Sequence, residues 1–182
     1  MSWAGVAGRL RLPLGFVSGA LYLLTVRPAP PRLAFGAFVA FLGLLLRAWA
    51  AGHIAKNQKL ATAGPYAYTR NPLYLGSFFI ALGFAIAWSW WALPLVAAAF
   101  LAVYLPVMQR EAATLSTIFP EEYPLYAASV PVFFPRLSPW RRATSEPEPF
   151  RFELYLRHGE WKAALGYTLA VLWLVFRAQW GG

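Results

Sequence analysis

The chain has 182 residues, of which 59% are hydrophobic and 13% charged, with a formal net charge of +9 and a mean hydropathy of +0.50. An average soluble domain carries about 25% charged residues, so the excess apolar surface is expected to face lipid rather than water. Cysteine and aspartate are absent, which excludes disulfides, thiolate metal sites and a cysteine nucleophile.

Five apolar segments follow one another along the chain. The first, Leu12 to Val26, lies between Arg9 and Arg11 on one side and Arg27 on the other. No small-x-small cleavage site follows in Arg27-Pro28-Ala29-Pro30-Pro31, so this segment reads as a retained helix and not as a signal peptide. Its Gly15 and Gly19 have the GxxxG spacing that lets helices approach closely; the oligomeric state stays open. The second segment runs from Leu33 to Ala51, the third from Pro72 to Trp88, the fourth from about Trp91 to Met108, and the last from Trp161 to Phe176. A spanning helix needs about 20 apolar residues, with roughly 17–25 tolerated. The second and third segments fit this length well, and the first and last are short for it. The expected fold is therefore all-α: a polytopic membrane protein with about five transmembrane helices and a single domain over residues 1–182.

Topology follows from the basic residues. With a cytoplasmic N-terminus, Arg9, Arg11, Arg47, Lys56, Lys59, Arg70, Arg110, Arg136, Arg141, Arg142, Arg151, Arg157 and Lys162 fall inside, and Arg27, Arg32 and Arg177 fall outside. This asymmetry obeys the positive-inside rule and leaves no need for a nucleic-acid partner. The turn Trp88-Ser89-Trp90-Trp91 then lies at the outer interface, where indoles prefer to sit. Residues 138–149 (SPWRRATSEPEP) read as a linker, and FRFELYLRHGEW after it reads as an interfacial helix leading into the last span.

Two polar stretches share the cytoplasmic side in this topology. The first is GPYAYTRNPLYLG, residues 64–76. Asn71 precedes a proline and is pushed toward an extended conformation, while Pro72 suits the first position of a helix. The third helix should therefore begin at Pro72, with its N-terminal partial positive charge and Arg70 together favouring a carboxylate or phosphate. The alternative is that Arg70 anchors the helix at lipid headgroups and the tyrosines form an interfacial belt. The second stretch, residues 109–137, places Glu111 just beyond an apolar span, where unpaired charge is costly. Glu111 either serves a site or pairs locally with Arg110. Pro120 should break the helix and Pro120-Glu121-Glu122 restart a short one, with proline first, acids in the first turn, and Tyr123 and Tyr126 on one face. His53 and His158 are isolated, and no metal-ligand spacing surrounds them.

Together, GPYAYTRNPLYLG and, some forty residues later, REAATLSTIFPEEYPLYAASVPVFFPR resemble the isoprenylcysteine carboxyl methyltransferase and phospholipid methyltransferase superfamily of integral-membrane enzymes. The resemblance covers a core of about residues 47–137, and leaves the linker (138–149) and the interfacial segment with the last helix (150–182) outside it. Three departures stand out: Asn71 where the family usually has histidine, Glu111-Ala112 where it often has two glutamates, and Phe119-Pro120 where Phe-Gly is common. Asparagine keeps a hydrogen-bonding side chain but does not titrate near neutral pH.

The resemblance implies S-adenosylmethionine as cofactor and a lipophilic acceptor that reaches a cytoplasmic site, built from loops and short helices, from within the membrane. Arg70 and Glu111 are then the expected catalytic residues. Tyr66, Arg70, Asn71, Pro72, Tyr74, Glu111, Tyr123 and Tyr126 are the expected cofactor-binding set. Arg70 and the helix start at Pro72 suit the cofactor's carboxylate; Glu111 suits its ammonium or ribose hydroxyls; the tyrosine rings suit adenine and the sulfonium. Two other functions remain open at the level of sequence. One is an NADPH-dependent membrane reductase of the sterol-reductase type, with Arg136, Arg141 and Arg142 for a 2′-phosphate. The other is a non-catalytic scaffold with the same fold.

Overall fold

A computed structural model describes residues 3–55, 59–141 and 149–180. Among the described residues the fold is all-helical, with no strand. Five long helices carry it: α1 (Trp3–Thr25), α2 (Pro30–Ala51), α3 (Pro72–Trp88), α4 (Ala92–Ile118) and, after two short helices α5 (Glu122–Ser129) and α6 (Phe152–Arg157), the last helix α7 (Trp161–Trp180). A 3-10 turn, Gly64–Ala67, opens the loop between α2 and α3. Each of the five apolar segments falls on one long helix, the first running one residue past α1 at Val26 and the fourth beginning one residue before α4 at Trp91. By length and composition α2 and α4 are long and apolar enough to cross a membrane, while α3 has 17 residues, about 25 Å at 1.5 Å per residue.

The tightest packing is the antiparallel seam between α2 and α3. Gly36 and Gly43, seven residues apart, face Gly83 and Gly76 in reverse order. A Cβ on Gly36 would collide with the Gly83 carbonyl, and one on Gly76 would come within 2.6 Å of the Gly43 carbonyl. Only glycine lets the two backbones approach this closely. Between apolar helices in lipid, such van der Waals contact replaces the missing hydrophobic drive. Gly15 and Gly19 of α1, by contrast, have nothing within 4 Å of a Cβ built on them; the small-residue pairs that pack are spaced by seven, not four.

The long helices alternate in direction. At one end of the bundle Leu33, Ala87 and Leu174 pack together with Tyr22 and Leu23, which brings the end of α1, the start of α2, the end of α3 and the end of α7 to one level. Trp173 Nε1 donates to the Leu23 carbonyl at 2.9 Å there, and Arg177 Nη1 to that of Leu24 at 2.6 Å. The opposite end gathers the end of α2, the first turn of α3, the last turns of α4 and the start of α7. Between these ends the bundle turns large apolar side chains outward, among them Phe35, Phe38 and Leu42 on α2 and Leu169, Leu172 and Phe176 on α7. Surface of this kind is a liability in water and ordinary in lipid.

Local signals explain the boundaries near the site. Pro72 occupies the first turn of α3, and Asn71 before it has left the helical region (φ −129°, ψ 56°). α4 continues past its apolar part to Ile118 and stops before Pro120; α5 begins at Glu122 with an acid in its first turn. The stretch expected as a linker is anchored where it begins: Trp140 N–H donates to the Ala67 carbonyl at 2.8 Å, and its ring lies 5.4 Å from that of Tyr126. Residues 142–148 of that stretch lie outside the described residues.

Candidate functional site

The two polar stretches interlock. The backbone N–H of Arg70 donates to the Pro131 carbonyl at 2.9 Å, and that of Arg136 to the Tyr68 carbonyl at 3.0 Å. Thr69 Oγ1 donates to the Phe133 carbonyl at 2.8 Å, Asn71 Nδ2 to the Val132 carbonyl at 2.9 Å, and the Tyr126 hydroxyl to the Tyr66 carbonyl at 2.8 Å. Residues 66–71 are thus held along their length by residues 126–140. A loop without regular structure has many backbone groups to satisfy, and here the other motif satisfies them.

The loop enters this arrangement through Gly64, whose φ of +58° belongs to the left-handed region. A Cβ at that position would also come within 2.7 Å of the His53 ring. His53 is buried and shares a hydrogen bond between Nδ1 and the Trp49 carbonyl at 2.9 Å. It is therefore the floor under the loop entrance.

Two buried donors at this crossing lack a hydrogen-bond partner: the Tyr66 hydroxyl and Arg70 Nε. Such orphans are rare because each costs about 1–3 kcal/mol. Burial, with smaller contributions from Tyr126, Glu111 and Glu160, pushes the Tyr66 hydroxyl far above the usual tyrosine range. It is thus a neutral O–H donor at any physiological pH. Arg70 Nη1 donates to the Tyr123 hydroxyl at 3.2 Å, which aims the guanidinium along α5.

On the other flank the Tyr74 hydroxyl donates to Glu111 Oε1 at 2.6 Å, joining the first turn of α3 to the exposed end of α4. The Tyr74 ring lies 5.3 Å from that of Tyr104, which stacks on Phe100 at 4.1 Å. The expected residues therefore fall into two groups. Tyr66, Arg70, Asn71, Tyr123 and Tyr126 share the interlocked loop, and Tyr74 and Glu111 form a bridge beside it. Within the first group, the Asn71 amide and the Tyr126 hydroxyl are committed to holding backbone, and Pro72 is buried at the helix start.

Sequence reasoning passed over Arg47 and Glu160. Arg47 Nε donates to Glu160 Oε2 at 2.9 Å and Nη2 to Oε1 at 2.7 Å, a two-pronged fork. Its Nη1 donates to Ser77 Oγ and to the Leu73 carbonyl at 3.4 Å. One signal was available: Arg47 is a lone charge inside the second apolar segment and Glu160 an acid directly before the last one, where an unpaired charge is costly.

The model of the phospholipid methyltransferase family matches residues 32–122, half of the chain. Among curated proteins, the chain is 37% identical over 116 residues to the cobalt-zinc-cadmium resistance protein CzcN of Cupriavidus metallidurans, covering 62% of this chain and 53% of that protein. It is 33% identical over 151 residues to the nickel-cobalt-cadmium resistance protein NccN of Alcaligenes xylosoxydans xylosoxydans, covering 78% of this chain and 70% of that protein. The chain thus spans about half the length of the first relative and a larger share of the second. No solved structure matches it significantly. The family match covers α2, α3 and α4 with the interlocked loop between them, and the chain belongs to the phospholipid methyltransferase family.

Proposed function

We propose that the protein transfers a methyl group from S-adenosylmethionine to a lipophilic acceptor at the cytoplasmic face of a membrane that its five long helices cross. The observation that carries this reading is the pair of unpartnered buried donors, the Tyr66 hydroxyl and Arg70 Nε, at the crossing of two motifs in a chain of this family. Two N–H or O–H donors without acceptors suit an oxyanion, and the cofactor's carboxylate is one. The Glu111 carboxylate, oriented by Tyr74, suits its ammonium or ribose hydroxyls. The tyrosine rings of the loop and of α5 offer faces to adenine and to the sulfonium. Asn71 and Pro72 hold the shape of the loop, and Tyr126 fixes the backbone of Tyr66.

The bound cofactor supplies an activated methyl group, and the chain's own residues supply alignment. Transfer to a carboxylate asks only for alignment and a desolvated nucleophile; an amine acceptor must lose a proton, for which Glu111 and His53 are the candidates. The membrane reading draws support from the alternation of the helices, from the outward apolar faces and from the thirteen basic residues assigned to the site's side against three on the other. The two relatives' names speak of resistance to metal ions. On this reading, a contribution to metal tolerance would act through the methylated acceptor. The test is calorimetric titration of S-adenosylmethionine into the folded full chain in lipid nanodiscs. Saturable binding, followed by label transfer to a membrane component, is expected; absence of binding by the folded protein would overturn the reading.

A further inference from the structure

α7 and the segment before it lie outside the part of the chain that matches the family, yet they reach the site's supporting helix by several contacts. Arg151 N–H donates to the Gly52 carbonyl at 2.9 Å, and His158 Nε2 shares a hydrogen bond with the Ile54 carbonyl at 2.9 Å. The Phe150 ring covers Gly52 and meets the His53 ring edge-on at 6.1 Å. α6 ends in a left-handed glycine, Gly159 (φ +69°), whose N–H donates to the Leu156 carbonyl at 3.0 Å. This reversal sets Glu160 at the start of α7, 8% exposed, directly against Arg47.

Arg47 joins three helices through one guanidinium. It projects from α2, forks onto Glu160 at the start of α7, and donates from Nη1 to Ser77 and Leu73 in the first turns of α3. Tyr74 lies between those two partners in sequence and carries the hydroxyl that orients Glu111. The Leu73 carbonyl that accepts from Arg47 lies three residues after Arg70, which places the fork beside the candidate site and not on a remote surface. An arginine fork fixes direction as well as distance, unlike a lysine point charge.

Resting on the methyltransferase reading above, we infer that Arg47 and Glu160 are positioning residues: their fork clamps the last helix onto the start of α3 and so holds the Tyr66–Arg70 loop and the Tyr74–Glu111 bridge in register. The segment beyond the family match is then a working part of the site. The clamp acts on binding geometry, so its loss raises the cofactor KM and leaves kcat at saturation nearly unchanged.

Three variants of the full chain in nanodiscs test this: Glu160→Gln, Arg47→Lys, and the double variant Arg47→Met/Glu160→Leu. The double variant removes the fork without leaving a buried charge alone, and apolar replacement of a buried pair commonly preserves stability. The expected result is a rise of about tenfold or more in the S-adenosylmethionine KM and Kd in all three, with faster amide hydrogen exchange at residues 64–75 and with the double variant as stable as the wild type. A double variant that is folded and keeps the wild-type KM, Kd and exchange rates would overturn the clamp and leave the methyltransferase reading intact. A folded wild type that does not bind S-adenosylmethionine would overturn both.

Discussion

Arg47 and Arg70 stand at the same end of the bundle, each half-buried, and their surroundings are opposite. Arg47 has partners on Nε, Nη1 and Nη2, two of them the oxygens of one carboxylate. Arg70 has the Tyr123 hydroxyl on Nη1 and no partner on its buried Nε. A guanidinium whose donors are all engaged within the chain holds structure; under the proposed function, the free donor of Arg70 would meet the ligand. The family match contains both arginines, so membership alone would not have separated them. Their hydrogen bonds do.

The largest expected effect is on the engaged side. Glu160→Ala removes both prongs of the fork and leaves the Arg47 charge with only Ser77 and the Leu73 carbonyl. Breaking a buried pair from one side costs about 3–5 kcal/mol, and with the Arg47 side chain 23% exposed the lower end of that range applies. Equilibrium unfolding in mixed micelles measures it. A loss below about 0.5 kcal/mol, the range of exposed pairs, would place Arg47 with the surface arginines and erase the contrast.

On the free side, Arg70→Met is expected to weaken S-adenosylmethionine binding about 100-fold, about 2.7 kcal/mol, while moving stability by less than about 1 kcal/mol. Calorimetry and unfolding on the same preparation read both numbers. If Arg70→Met destabilises the chain as much as Glu160→Ala does and leaves binding intact, the two arginines have been assigned the wrong way round.

How much of this was legible in the sequence depends on the range over which a signal acts. The start of α3 at Pro72, the break before Pro120 and the tyrosine pair of α5 are set by neighbours within a few residues, and all three appear where the residues placed them. The seven-residue spacing of Gly36 and Gly43 was visible but gained meaning only once Gly76 and Gly83 lay opposite. The Gly15–Gly19 pair, which matches a familiar motif, has open space around it. Arg47 and Glu160 are 113 positions apart, and nothing local links them. Asn71 was noted for departing from the family pattern; its amide turns out to support the Val132 carbonyl, a contact made by a distant segment and therefore unreadable from its neighbours.

A smaller effect probes the floor of the loop. Gly64→Ala forces a side chain into a left-handed backbone, which costs about 1–2 kcal/mol, and drives a Cβ against the His53 ring. Combined with His53→Ala, the steric part should vanish while the backbone part remains, so a double-mutant cycle on unfolding free energies should show positive coupling. Strict additivity would mean that the ring moves aside without cost and that His53 does not set the loop's height.

The smallest expected effect is the most discriminating, because its two halves have opposite signs. Tyr66→Phe removes a buried hydroxyl that has no partner and keeps the ring that packs under the loop. Removing an unsatisfied buried donor relieves a desolvation cost of about 1–3 kcal/mol, so the chain without cofactor should gain roughly 1 kcal/mol in stability. The same change should weaken S-adenosylmethionine binding about tenfold, about 1.4 kcal/mol, since the hydroxyl's acceptor would be on the ligand. A purely structural tyrosine gives the reverse pattern: stability falls and binding holds. The Tyr126 hydroxyl, which donates to the Tyr66 carbonyl, supplies that control in the same loop. Tyr126→Phe should lower stability by about 1 kcal/mol, so the two tyrosines, like the two arginines, separate by whether their hydrogen-bonding groups already have partners within the chain.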